Sequence, residues 1–111
     1  VDIDGTLITN SSHHFPPYMG SGEPIENNID FLAELHEQGK TRIILTTSRP
    51  EKYRQLTIME LQTKGVPFDE LVMSLPHCQR IIINDFARSN QYPSCKAINI
   101  PRNTDDLKEY F

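Results

Sequence analysis

Asp2-Ile3-Asp4-Gly5-Thr6-Leu7 places two carboxylates one residue apart, after an apolar strand residue and before a glycine turn. On an extended backbone, side chains alternate between faces, so Asp2 and Asp4 point the same way. Held that close, the two acids repel unless a cation sits between them. Mg²⁺, a hard dication that takes one or two carboxylates together with a substrate phosphate, meets that need. Gly5 lets the chain leave the strand at positive φ with no Cβ near a ligand. The bland alternative is a strand end whose Asp-x-Asp-Gly only caps a turn.

The same six residues resemble, without a mismatch, the first motif of the haloacid dehalogenase (HAD) superfamily. The resemblance implies that Asp2 is the nucleophile that accepts a phosphoryl group. It implies that Asp4 gives its backbone carbonyl to Mg²⁺ and its side chain as general acid and base, with Thr6 as the accompanying hydroxyl. Thr46-Thr47-Ser48-Arg49-Pro50, at the end of a second apolar strand, matches the second motif. There Thr47 is expected to bind the transferring phosphate, and Arg49 to add a two-pronged contact to it. Hydroxyls before a proline also serve as ordinary helix caps.

Two further motifs depart from the family pattern. The pair of acids that completes the Mg²⁺ site falls on Asn84-Asp85, where asparagine supplies a neutral oxygen and Asp85 keeps a charge. The lysine that balances the charge of nucleophile and phosphate is missing from Ser74-Leu75-Pro76-His77, leaving His77 or Arg80 to replace it. The implied activity is a Mg²⁺-dependent phosphohydrolase that works through an aspartyl phosphate on a small phosphorylated metabolite. A sugar phosphate is one such substrate, since the small capless members that the chain resembles include capsule and polysaccharide phosphatases. The rival expectation is a degenerate module that binds Mg²⁺ or a phosphorylated partner without turnover.

The elements that would position these residues follow from hydrophobic patterning. Ile25, Ile29, Leu32 and Leu35 form one apolar stripe, which predicts a helix over 24–38 closed by Gly39. A buried strand is predicted over 41–46. A helix over 51–64 is expected to bury Tyr53, Leu56, Met59 and Leu61 and to end at Gly65. Short strands are predicted over 71–73, 80–85 and 96–100, followed by a helix that starts at Asn103-Thr104-Asp105-Asp106. The segment from Gly5 to Glu23 has no period and reads as a flap, residues 8–22, with His13 and His14 as a solvated pair and Phe15, Tyr18 and Met19 as closing or anchoring residues.

This alternation predicts an α/β fold, and the resemblance narrows it to a HAD-like Rossmannoid three-layer sandwich around a central parallel sheet, with no cap domain. The polar strand ends would converge at the carboxyl edge of the sheet, where such folds bind ligands. At 111 residues the chain is read as a single domain whose first strand begins before Val1. A net charge of −4 leaves no basic footprint for nucleic acid. No apolar run is long enough to span a bilayer. Two cysteines, Cys78 and Cys95, in no metal-ligand spacing fit a reducing, cytoplasmic setting. The site is read as open, with an upstream domain or an oligomeric partner as what could cover it.

Overall fold

β1 (Ile44–Thr46) is the middle of three parallel lines of chain. Its continuous apolar character predicts a strand covered on both sides, but only one face is covered: Ile43 and Leu45 are buried, while Ile44 on the other face is 42% exposed. Along one edge runs β2 (Glu70–Val72), with Ile44 opposite Glu70, Leu45 opposite Leu71 and Thr46 opposite Val72. Along the other edge runs the first segment of the chain. Asp2 bridges Thr46 in parallel, and the Thr46 N–H donates to the Val1 carbonyl at 2.8 Å. The computed structural model describes residues 1–10 and 22–111.

Two helices make the crossovers. α1 (Glu26–Glu37) joins the first segment to β1, and α2 (Arg54–Thr63), entered through a 3₁₀ turn over Glu51–Tyr53, joins β1 to β2. Ile3, Leu7, Ile29, Leu32, Leu45 and Leu61 lie in one apolar core between them. The chain is thus an α/β fold with a small two-stranded parallel sheet and two helices. No helix among the described residues is long and apolar enough to cross a membrane.

α1 follows its predicted stripe and adds two inward residues, Asn28 and Phe31. The Phe31 ring meets Phe111 edge-on, 4.8 Å between centroids and 72° between planes. Asn28, fully buried, donates to the carbonyls of Thr6 and Thr104, both at 2.8 Å, and accepts from the Leu107 N–H at 3.1 Å. One amide therefore ties the Asp-x-Asp turn and the C-terminal segment to the same helix. Asn28→Ala should cost about 1–3 kcal/mol, because three backbone groups lose their partner. Asn28→Asp should cost more, since a carboxylate would face two carbonyl oxygens. Urea denaturation of the two variants checks the order.

α2 buries Leu61 as expected, and Tyr53 in the turn before it is half-buried, but the rest of the expected face lies in solvent. Leu56 and Met59 are 59% and 61% exposed, while Thr57 and Leu61 are fully buried. The helix is rotated because a buried cation, Arg49, needs polar partners on its inner side, and Thr57 and Glu60 supply them.

The predicted strands over 80–85 and 96–100 do not form, so of the four strands expected after the first, two are present, paired in one described ladder. Ile81, Ile82 and Ile83 are 75%, 78% and 92% exposed. An apolar run reads as a buried strand, yet a strand needs a partner backbone as well as hydrophobic side chains. Ile98 and Ile100 still pack on the core without a ladder. The helix expected from Asn103 is reduced to a 3₁₀ turn over Leu107–Tyr110. Asn103 sits at φ 65°, a left-handed conformation that interrupts a helix start.

The flap reading, with His13, His14, Phe15, Tyr18 and Met19, falls mostly on residues 11–21, outside the described residues. Its two ends are paired. Ile8 bridges Pro24 antiparallel, the Thr9 N–H donates to the Glu23 carbonyl at 2.8 Å, and the Glu23 N–H donates to Thr9 Oγ1 at 2.8 Å. Gly22 is required there, because a Cβ would lie 2.4 Å from the Thr9 carbonyl oxygen.

Candidate functional site

Asp2 and Asp4 flank Ile3, which is fully buried, and both acids stay partly exposed. That is the alternation expected of an extended segment. Gly5 then turns the chain at φ 90°, and a Cβ there would come within 2.9 Å of the Arg102 side chain. The turn is fastened from outside: the Asn103 N–H donates to the Gly5 carbonyl at 2.7 Å, and Asn103 Oδ1 accepts from the Asn10 N–H at 2.8 Å.

The two acids have separate cations. Arg80 Nη2 lies 3.4 Å from Asp2 Oδ1, with both side chains about 40% exposed (42% and 40%). Burial raises the Asp2 carboxyl pKa from its ordinary value; Arg80 pulls the other way and neighbouring Asp4 adds to the rise. Asp4 is gripped by Arg49 through a two-pronged pair, Nε to Oδ2 at 2.9 Å and Nη2 to Oδ1 at 2.7 Å. Arg49 Nη1 turns the other way, to Glu60 Oε2 at 2.7 Å and Thr57 Oγ1 at 3.4 Å. Glu60 Oε1 in turn accepts from Lys64 Nζ at 2.7 Å, and that ammonium also donates to the Gly22 carbonyl at 2.6 Å.

Arg49 and Glu60 are the dry centre of this chain of charges, their side chains 7% and 8% exposed. Burial alone would lower the Arg49 pKa, but hydrogen bonds and charge from Asp4 and Glu60 more than offset it and hold the guanidinium charged. Four of the five N–H groups of a guanidinium are thereby committed. The expected phosphate contact of Arg49 is thus left to the remaining N–H on Nη2. Thr47 is buried, and its Oγ1 accepts the Arg49 N–H at 3.1 Å. The hydroxyl therefore braces the turn that aims Arg49.

Of the two residues expected to replace the missing lysine, Arg80 is ion-paired to Asp2, and His77 lies exposed. Asn84 and Asp85 are exposed in a segment without a strand, and the Asp85 carbonyl accepts from Ser94 Oγ at 3.0 Å. Neither Asn84 nor Asp85 is joined to Asp2 or Asp4 by a hydrogen bond or ion pair among the described residues. No group of three or more His, Cys, Asp or Glu side chains that could hold a metal is gathered among the described residues. The oxygens of the first motif with the chemistry to take Mg²⁺ are the Asp2 carboxylate, beside Arg80, and the Asp4 carbonyl, which accepts from no donor among the described residues. Two protein oxygens, with water and phosphate filling the remainder, are within the usual habit of that ion.

Sequence reasoning missed Thr57, Glu60, Lys64 and Asn28. Glu60 and Lys64 carry a signal, an acid four residues before a base on one helix face, but such pairs normally lie in solvent. Only the position of Arg49 makes this face an interior one. Cys78 and Cys95 are exposed free thiols. No family model matches the chain, and neither a curated protein nor a solved structure matches it.

Proposed function

We propose that this chain is a small, capless HAD-like phosphohydrolase domain that hydrolyses a small phosphorylated metabolite, such as a sugar phosphate, with Mg²⁺. The observation that supports it is the separation of the two acids: Asp2, partly exposed and beside Arg80, and Asp4, one residue on, held by Arg49. Paired carboxylates placed in different environments are the usual arrangement for two different catalytic roles.

In this reading Asp2 attacks phosphorus and forms an aspartyl phosphate, and the bond to the leaving oxygen breaks. Arg80 neutralises charge beside the nucleophile. Asp4 delivers a proton to the leaving oxygen and then takes one from the water that cleaves the acyl phosphate. Asp4 can do so only as Arg49 yields one of the two oxygens it holds. The Asp2 carboxylate and the Asp4 carbonyl would hold Mg²⁺, which supplies charge neutralisation for the phosphoryl oxygens.

Calorimetry with Mg²⁺ alone checks the donor set. Asp2→Asn should lose most of the binding heat, whereas Asn84→Ala and Asp85→Ala, altered at exposed positions outside this donor set, should bind as the parent does. A clear loss of affinity in Asp85→Ala would overturn this donor set and bring the 84–85 pair into the site. Turnover itself is tested by a Mg²⁺-dependent screen of phosphoesters with Asp2→Asn as the blank. The second reading, a binding module without turnover, draws on the two-pronged Arg49–Asp4 pair, which occupies both oxygens of the acid that would have to transfer the proton. It prevails if no phosphoester is hydrolysed and beryllofluoride, a mimic of the aspartyl phosphate, does not attach to Asp2.

A further inference from the structure

We propose that Glu60, on α2, is a positioning residue for Asp4: it fixes the rotation of the Arg49 guanidinium that presents its other edge to the acid. The proposal rests on the hydrolase reading for its catalytic consequence, but its geometric content stands on contacts alone. Arg49 meets Asp4 through Nε and Nη2 and meets Glu60 through Nη1. These are different edges of one rigid plane, so an anchor on Nη1 sets where the Nε–Nη2 fork points. Thr57 Oγ1, at 3.4 Å, is the longer of the two anchors on Nη1. Glu60 is itself held, because its second oxygen accepts from Lys64 Nζ. Helix α2 thereby orients the proton donor of a site to which it contributes no reacting atom.

Two double variants of the full chain separate this role from packing. Glu60→Gln with Lys64→Met keeps an amide oxygen for Nη1 and leaves no buried ammonium opposite it. Glu60→Met with Lys64→Met has the same neutral pair without that oxygen. The reporter is the Arg49 Nε–H in the ¹⁵N spectrum, whose exchange with water reads the bond to Asp4 directly. The Gln pair should keep the slow exchange of the parent and a kcat close to it. The Met pair should lose slow exchange and about 10²-fold in kcat, the usual effect of a misplaced catalytic group, with KM little changed. Equal Nε–H exchange in the two variants overturns the proposal. If only the Met pair loses slow exchange while neither variant nor the parent turns over a phosphoester, the positioning stands and the hydrolase reading falls. Should the Met pair not fold, the Gln pair decides alone: slow exchange there upholds the anchor, and rapid exchange overturns it.

Discussion

Asp2→Asn is expected to abolish phosphoester turnover while leaving the fold at least as stable as the parent near neutral pH. The first half follows from chemistry, since an amide is not a nucleophile toward phosphorus. The second half follows from the direction in which the protein moves the Asp2 carboxyl. Burial, reinforced by Asp4, raises its pKa in the folded chain. A raised carboxyl favours the folded state when protonated, and that contribution is lost as pH rises through the folded pKa. At neutral pH the ionised Asp2 therefore opposes folding, and Asn, which resembles the protonated acid in shape and charge, removes the opposition. Thermal melts of both proteins across the carboxylate range should converge at low pH and separate, with the variant higher, as pH rises. A variant melting below the parent at pH 7 would make Asp2 a structural residue and weaken the case for a functional one.

Arg49→Met is expected to be the most damaging single change among the charged residues. It leaves Glu60 buried and Asp4 partly buried with no guanidinium between them. Breaking one partner out of a buried pair costs about 3–5 kcal/mol, against a total stability of about 5–15 kcal/mol for a domain of ordinary size. Arg49→Lys should recover only part of the loss, because a single ammonium cannot serve two carboxylates on different edges of a plane. Urea denaturation gives the ranking. A loss below about 1 kcal/mol in Arg49→Met would mean that water screens the pair as it does on a surface.

The parts of this chain that were legible in sequence are those that local rules dictate. The stripe of Ile25, Ile29 and Leu32, the apolar run before Thr46 and the glycines at 39 and 65 place α1, β1 and the end of α2 close to where they occur. The alternation around Ile3 also holds. What local rules cannot convey is which partner an element finds. Ile81-Ile82-Ile83 has the composition of a central strand and no ladder, and Leu56 and Met59 have the spacing of a core face and lie in solvent. Both misreadings have one origin: apolar patterning reports what a segment prefers to bury, while backbone pairing and buried charge decide what it does bury. Arg49 illustrates the same limit. Its residue type suggests phosphate binding, and only the third dimension brings Asp4 and Glu60 to it.

The fastening of the Gly5 turn also sets the order in which the molecule can assemble. Asn10 and Asn103 are joined across 93 residues, and Asn28 reaches Leu107 across 79. The core contacts among the first segment, α1 and β1 close much shorter loops and, having less entropy to overcome, should be made first. The turn bearing Asp4 has local closures of its own, Gly5 N–H to the Ile8 carbonyl and Leu7 N–H to the Ile3 carbonyl, so the contacts from 103–107 are expected to add the last of its fastening rather than its shape. A substitution at Asn103 should accordingly slow the last step of refolding and leave the earlier collapse untouched.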